Sequence, residues 1–172
     1  NCRNFRATHN IEVKMKKYGC IGKKLGHSFS KDIHAKLADY KYELIELNEE
    51  EIDSFFKQKD FAAINVTIPY KQTVIPYLDS ISEIANRIGA VNTIVNKDGK
   101  LFGYNTDFLG LTSLIKKAKI EISGKKVLIA GSGGTAKTAR AVAKSMNARE
   151  VIVLSRSQKE GFCTYEEAKE KH

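Results

Sequence analysis

Cysteine is scarce in this chain, with three residues among 172, at positions 2, 20 and 163. Their wide spacing matches neither a disulfide framework nor a zinc site, and an odd count is typical of a reducing compartment. Apolar runs of about 18 residues are also missing, and the first residues lack the order of a signal peptide. We therefore expect a cytoplasmic protein with no membrane span and no bound metal.

Positive charge is in excess, but its distribution does not favour nucleic acid. The net charge is +9, of which residues 1–17 contribute +4, from five basic residues against Glu12 alone. The remaining +5 lies among acidic residues on amphipathic segments such as EEEIDSFFKQKD, which is typical of solvated helix faces. We expect anionic small molecules rather than nucleic acid as ligands, since a basic cleft concentrates phosphates and carboxylates.

The chain alternates strand and helix patterns, which predicts an α/β fold with a mixed or parallel sheet. Residues 1–14 show no period and are interpreted as an extension before a natural start at Met15. The predicted strands cover residues 18–22, 42–47, 62–67, 90–96, 100–104, 126–130 and 150–154. The predicted helices cover residues 30–40, 49–57, 70–78, 82–88, 107–119, 135–146 and the final residues from 165. The Asp98-Gly99 pair predicts a hairpin turn.

A break near residues 120–124 divides the chain into two predicted domains. Residues 15–120 form the first domain, and residues 121–172 form the first part of a Rossmann-type dinucleotide domain. Only one βαβ unit is evident in the second, so we expect it to be incomplete as given.

Polar residues collect at the strand-to-loop junctions of the first domain. In GHSFSK, Ser28 and Ser30 either form a turn and a helix N-cap or bind a carboxylate together with the free helix amides. In NVTIPYK, Thr67 and Lys71 follow an apolar strand, at the end where open α/β sheets collect ligands. Lys71 is either a solvated lysine or a group for proton transfer.

Two further motifs, GAVNT and GYNTDFLG, add Asn92 and Asp107 at similar junctions. Turn chemistry, or an N-cap in the case of Asp107, explains each one separately. Together with the serines, Asn65, Thr67 and Lys71, they supply the hydrogen-bonding groups that a polyhydroxylated substrate requires.

A glycine turn, GSGGTA, fits the dinucleotide pattern G-x-G-x-x-G/A. Its members are Gly131, Ser132, Gly133, Gly134 and Thr135. An apolar strand precedes it and a helix follows, which strengthens a match that is weak alone. About twenty residues further, where an NAD site carries an acid, the chain has Ser155, Arg156 and Ser157. A guanidinium there favours NADP, although Arg156 could also be an exposed strand-end charge.

The motifs GHSFS, NVTIPYK, GAVNT, GYNTDFLG and GSGGTA, in this order and spacing, resemble shikimate dehydrogenase from about Lys16 onward. The resemblance implies reversible NADPH-dependent reduction of 3-dehydroshikimate to shikimate, in the biosynthesis of chorismate and the aromatic amino acids. It also implies that Lys71 and Asp107 are the proton-transfer pair.

By the same resemblance, Ser28 and Ser30 hold the substrate carboxylate, while Thr67, Asn92 and Asp107 bind ring hydroxyls. Residues 131–135 hold the pyrophosphate, and residues 155–157 stand where the family usually has Asn-Arg-Thr around the 2′-phosphate.

Three alternatives stay open at this point. In that family the chain continues beyond the position that corresponds to residue 172 here. We therefore expect this polypeptide by itself to bind NADP weakly and to turn over poorly. It could instead be a non-catalytic shikimate-binding module, or a relative that uses quinate, which differs by one ring hydroxyl. A homodimer is among the assemblies that the sequence allows.

Overall fold

A computed structural model of the protein describes residues 17–158 and 160–171. The predicted extension over residues 1–14 and the start at Met15 lie outside the described residues. The strands are β1 (Tyr18–Gly22), β2 (Tyr42–Glu46), β3 (Ala63–Val66), β4 (Ser80–Ile81), β5 (Thr93–Lys97), β6 (Lys100–Tyr104), β7 (Lys126–Ala130), β8 (Glu150–Ser155) and β9 (Cys163–Thr164). The helices are α1 (Ser30–Leu37), α2 (Glu49–Gln58), α3 (Glu83–Ile88), α4 (Asp107–Lys117), α5 (Gly134–Ser145) and α6 (Tyr165–Lys171).

Six strands form one mixed sheet in the order β2-β1-β3-β5-β6-β4. β1 pairs in parallel with β2 and β3, whereas β5 runs antiparallel to both β3 and β6. The hairpin between β5 and β6 turns at Asp98 and Gly99, whose φ angles of 52° and 82° are both positive, as a two-residue primed turn requires. The predicted mixed α/β fold and its hairpin are confirmed.

The core of this sheet is apolar on both sides of β1 and β3. Ile21, Ile94 and Leu101 are fully buried at 0% exposure, and α2 adds Ile52 and Phe56. Helix α2 begins with a capping box, in which Asn48 and Glu51 satisfy each other's backbone amides. The helix is thereby fixed at its start and packs its apolar face inward.

The second sheet contains β7, β8 and β9, all parallel, in that order. Helix α5 crosses from β7 to β8 and buries Val142 and Ala143, and β8 buries Val153 and Leu154. The β7-α5-β8 unit is the predicted βαβ arrangement, with the glycine turn between β7 and α5.

Two predicted helices differ from the structure. Helix α1 ends at Leu37 rather than at residue 40, because Ala38 is extended and the Tyr40 ring packs against Tyr18 at 4.7 Å. The predicted helix over residues 70–78 is wrong: only Ile75–Tyr77 form a 3-10 turn, since Pro76 has no N–H for an α-helical bond.

Some predicted strands differ as well. Strand β5 begins at Thr93 rather than at residue 90, because the amide of Val91 donates instead to the Lys71 carbonyl, at 2.7 Å. The two-residue strands β4 and β9 were not predicted. Strands this short carry too little alternation to be detected from the sequence.

Candidate functional site

One edge of the six-stranded sheet collects the polar motifs. The parallel strands β1 and β3 both end there, and the antiparallel partner β5 begins there, with Asn65 of β3 opposite Thr93 of β5. Thr93 in turn faces Tyr104, the last residue of β6. The topology therefore brings the loops after β1, β3 and β6, and the loop before β5, to one place.

Lys71 is held at this edge by its neighbours in the chain. A cis peptide joins Ile68 to Pro69, and the amide of Tyr70 donates to the carbonyl of Thr67 at 2.9 Å. The Tyr70 ring is buried, and its hydroxyl donates to the carbonyl of Leu47 at 2.6 Å. These contacts fix the backbone from which the Lys71 side chain extends.

The structure brings Lys71 and Asp107 together. Lys71 Nζ lies 2.6 Å from Asp107 Oδ2 and 3.5 Å from Thr135 Oγ1. The Lys71 side chain is 11% exposed and that of Asp107 is 36% exposed, so the pair is shielded on one side and open on the other. Asp107 is the first residue of α4, where a carboxylate is favoured by the helix dipole.

The serine loop lies between β1 and α1. The amide of Ser30 donates to Ser28 Oγ at 3.3 Å, and the amide of Ser28 donates to the carbonyl of Leu25 at 2.8 Å. Ser30 is the first residue of α1, and the N-cap position is occupied by Phe29, which makes no side-chain cap. The alternative role of Ser30 as an N-cap is therefore wrong.

A hydrogen-bonded chain runs beneath the edge. Tyr42 donates its hydroxyl to Asn65 Oδ1 at 2.6 Å, and Asn65 Nδ2 donates to Thr93 Oγ1 at 3.3 Å. Burial raises the pKa of the Tyr42 phenol far above its usual value; Cys20 adds to the rise, and a hydrogen bond with Ser30 opposes it. Tyr42 therefore remains a donor at physiological pH, which fixes the orientation of the Asn65 amide.

Cys20 lies in β1, next to Asn65 of β3 in the strand register. Burial raises the pKa of its thiol, and the nearby Lys71 partly opposes that rise. A buried thiol of this kind is a poor nucleophile, so Cys20 serves as packing below the site.

Asn92 is tied to the loop that carries Asp107. Its side-chain oxygen accepts from the amide of Thr106 at 2.8 Å, and its Nδ2 donates to Thr106 Oγ1 at 2.9 Å. Asn92 is 7% exposed, so most of its surface is already in contact with protein. Thr67 follows β3 with its amide bonded to the Ile21 carbonyl at 2.9 Å, and its side chain is half-buried.

The glycine turn lines a cleft next to Lys71. A cavity of about 360 Å³ is bounded on one side by residues 129–136 and on the other by Ile68, Pro69, Lys71 and Gln72. Side chains at Gly131 and Gly133 would meet no atom within 4 Å, so both backbones face open space. A side chain at Gly134 would lie 3.1 Å from Lys71 Cβ, so glycine allows this close approach.

The 155–157 segment follows β8. Ser155 is 3% exposed, and its hydroxyl accepts from the amide of Ser157 at 3.4 Å, which makes a local turn. Arg156 and Ser157 are exposed. Arg156 is therefore the member of the three whose long side chain can extend towards a ligand.

Two residues of the network, Asn105 and Thr106, were not among the predicted site residues. Both occur within a predicted motif, where turn chemistry already accounts for polar side chains. Their bonds to Thr138 and Asn92 reach 33 and 14 positions along the chain, so no local pattern could identify them.

Metal clusters and membrane spans are both missing from the described part of the chain. No group of three or more His, Cys, Asp or Glu residues in 17–158 and 160–171 is arranged to hold a metal ion. Over the same residues, no helix is long and apolar enough to cross a membrane.

Residues 20–94 match the family model described as the shikimate dehydrogenase substrate binding domain. A relative from Clostridium perfringens (strain ATCC 13124), named shikimate dehydrogenase (NADP(+)), is 40% identical over 156 residues. That alignment covers 86% of this chain and 58% of the relative, so the chain spans a little over half of the relative's length.

Solved structures give the same result. The crystal structure of shikimate dehydrogenase 1 from Peptoclostridium difficile superposes with a TM-score of 0.81 at 37% identity, over 85% of this chain and 57% of that one. Shikimate 5-dehydrogenase from Thermus thermophilus, in complex with NADP(H) and shikimate, has a TM-score of 0.74 at 31% identity, over 83% of this chain and 57% of that one. The resemblance carried by the five motifs is thus confirmed: this chain is similar to the shikimate dehydrogenases, and its residues 20–94 match the model of their substrate-binding domain.

Proposed function

We propose that this chain binds shikimate and 3-dehydroshikimate at the edge of the six-stranded sheet and, with NADP(H), interconverts them. The observation that carries the proposal is the Lys71–Asp107 pair, 2.6 Å apart, at the cleft that the glycine turn also lines. The named activity of the Clostridium perfringens relative, and the NADP(H) and shikimate in the Thermus thermophilus complex, support it.

The proposed chemistry assigns proton transfer to Lys71. Bound NADPH would supply a hydride to the carbonyl carbon of 3-dehydroshikimate. The Lys71 ammonium donates a proton to the carbonyl oxygen, and in the reverse direction its amine accepts the hydroxyl proton. Asp107, in contact with Lys71 Nζ, orients the amine and accepts a hydrogen bond from a ring hydroxyl.

The proposed substrate contacts combine charge and hydrogen bonding. Ser28 and Ser30 hold the carboxylate near the start of α1, where free backbone amides face an anion favourably. Thr67 and Asn92 bind ring hydroxyls. Asn92 has one remaining amide hydrogen for this purpose, because Thr106 Oγ1 accepts the other.

The residues present fit a dinucleotide. Gly131 and Gly133 present open backbone, and α5 directs its first amides towards the same cleft. We propose that the glycine turn, residues 131–135, holds the pyrophosphate. Arg156, which is exposed beyond β8, pairs with the 2′-phosphate and favours NADP over NAD, whereas Ser155 supports the turn and Ser157 borders the same phosphate.

The proposal extends to organisation and assembly. We propose a substrate domain up to residue 120, followed by the beginning of a cofactor domain from residue 121, which agrees with the separate sheets on either side. The predicted cytoplasmic location and a homodimer remain predictions, which cell fractionation and light scattering would test.

Two measurements on the purified chain test the function. Calorimetric titration with shikimate measures binding, and the absorbance of NADPH with 3-dehydroshikimate measures turnover. Lys71→Ala should reduce turnover at least about 1,000-fold while changing shikimate affinity only a few-fold. Lys57→Ala, on the exposed face of α2, is the matched control and should change neither.

Each outcome has a defined meaning. Shikimate binding with neither NADPH binding nor turnover would indicate the non-catalytic module, slow turnover with weak NADPH binding would indicate the shortened enzyme, and equal rates with quinate and shikimate would indicate the quinate-using relative. If Lys71→Ala turns over at the parent rate, the assignment of Lys71 is wrong. Absence of shikimate binding in the parent chain would overturn the proposed function as a whole.

A further inference from the structure

Asn105 connects three separate parts of the molecule with one side chain. Its Oδ1 accepts from the amide of Phe108 at 3.1 Å, in the first turn of α4. Its Nδ2 donates to the carbonyl of Ala90 at 3.0 Å and to Thr138 Oγ1 at 3.1 Å. The amide group thus joins the loop before β5, the helix that begins with Asp107 and the helix that follows the glycine turn.

Thr138 continues this connection towards the glycine turn. It is 1% exposed, and its hydroxyl, which accepts from Asn105, lies 3.4 Å from the carbonyl of Gly134. The hydroxyl can therefore accept one bond and donate the other. Asn105 is 5% exposed, so water does not replace either partner.

These contacts form a closed ring that includes Lys71 and Asp107. Asp107 precedes Phe108, and Phe108 is bonded to Asn105, which is bonded to Thr138. Thr138 contacts Gly134, the position where a side chain would lie 3.1 Å from Lys71 Cβ. Lys71 then returns to Asp107 at 2.6 Å.

We propose that Asn105 and Thr138 are a positioning pair that couples the glycine turn to Asp107. A displacement of the glycine turn moves Thr138, and through Asn105 it moves the first turn of α4, which carries Asp107. An ordered glycine turn therefore favours an ordered first turn of α4, and an ordered first turn of α4 favours an ordered glycine turn. The proposal rests on the proposed function only for the identity of the two ligands, NADP and shikimate.

An exposed hydrogen bond also joins α5 to the segment that carries Lys71, but it constrains their relative position less. Lys137 Nζ donates to Gln72 Oε1 at 2.7 Å, but both groups are exposed, so water can take the place of either partner. The Asn105–Thr138 bond is buried, and loss of the hydroxyl would leave an amide N–H without a partner. The buried bond is therefore the stricter constraint.

Hydrogen exchange of the backbone amides tests the coupling without any ligand. Thr138→Val removes the hydroxyl and keeps the shape, Thr138→Ala removes it without added bulk, and Thr138→Ser keeps it. Thr112→Val is the matched control, because the Thr112 hydroxyl bonds only within α4, to the carbonyl of Phe108 at 2.7 Å. Circular dichroism verifies that each variant is folded.

We expect Thr138→Val and Thr138→Ala to accelerate exchange about fivefold or more at two places together, residues 131–135 and the first turn of α4. Thr138→Ser should restore the parent rates at both places, and Thr112→Val should leave residues 131–135 unchanged. Faster exchange confined to α5, or the same loss in Thr138→Ser as in Thr138→Val, would overturn the proposal. Should neither hydroxyl-free variant fold while Thr138→Ser does, exchange in Asn105→Ser decides by the same two-place criterion.

A second measurement separates this proposal from the proposed function. In a parent chain that binds both ligands, saturating NADP⁺ should tighten shikimate binding about fivefold, and Thr138→Val should reduce that factor to near one. An unchanged factor in Thr138→Val overturns the coupling while the proposed function stands. A parent chain that binds neither ligand overturns the proposed function, and the ligand-free exchange result then decides the coupling by itself.

Discussion

The six-stranded and the three-stranded sheets differ in how fully their strands are covered. In the first, Ile94 of β5 and Leu101 of β6 are both 0% exposed. In the second, β7 has no fully buried residue, and Leu128 at its centre is 47% exposed. The six-stranded sheet is packed against helices and loops. The three-stranded sheet is packed mainly against α5 and the short helix α6.

This difference matches the proposed division of roles. The proposed substrate residues follow the ends of strands in the six-stranded sheet, whose central strands β3, β5 and β6 contain fully buried side chains. The glycine turn belongs to the sparsely packed sheet and reaches the first through α5. The buried bond between Asn105 and Thr138 joins an element of the first sheet's half of the chain to α5.

The largest expected effect is on stability, and it compares leucines of the two sheets. Leu101→Ala should lower the free energy of unfolding by about 2–5 kcal/mol, because it leaves a cavity in a closed core. Leu128→Ala should lower it by less than about 1 kcal/mol, since half of that side chain already contacts solvent. Urea denaturation measures both, and equal losses would remove the distinction between the sheets.

The next effect concerns ligand binding. We expect one variant to weaken only the binding of the cofactor and another to weaken only the binding of shikimate. Arg156→Ala should weaken NADPH binding by about 1.5–3 kcal/mol, or roughly 10–150-fold, and leave NADH binding unchanged, because only NADPH carries the 2′-phosphate. Thr67→Val should weaken shikimate binding about tenfold through the loss of one hydroxyl contact. Titration of both ligands against both variants checks this, and a variant that weakens both ligands equally would contradict the division.

The smallest effect concerns helix starts. Helix α2 has a capping box, whereas the cap of α5, Gly133, has no side chain to offer. Asn48→Ala should therefore cost about 1 kcal/mol of unfolding free energy. Gly133→Ser should gain a few tenths of a kcal/mol, since it supplies a cap in open space, yet it should reduce NADP binding by filling the cleft.

Thermal unfolding and NADP titration of the Gly133→Ser chain check the last prediction. Ser145→Ala, at the other end of α5, is the control, and it should leave NADP binding unchanged. Unchanged NADP affinity in Gly133→Ser would show that the turn is not the pyrophosphate site.

Much of the fold could be predicted because its signals are local. The Asp98-Gly99 turn and the apolar strand before the glycine turn both act within a few positions. The predicted helix over residues 70–78 failed because Pro76 and the buried Tyr70 favour turns, and a short apolar run does not reveal this. The bonds of Asn65 and Asn105 could not be predicted either, since their partners come from other elements.

Local patterns along the chain specify the alternation of strands and helices, the glycine turn and the polar residues at strand ends, because propensity and period act over short distances. The tertiary structure decided that Lys71 meets Asp107, 36 positions away, and that Asn105 bonds to Thr138, 33 positions away. Such long-range contacts depend on strand order and on the direction of β5, which are set by the packing of the whole sheet. The chemistry was therefore present in the residue types, and the fold brought those residues into contact.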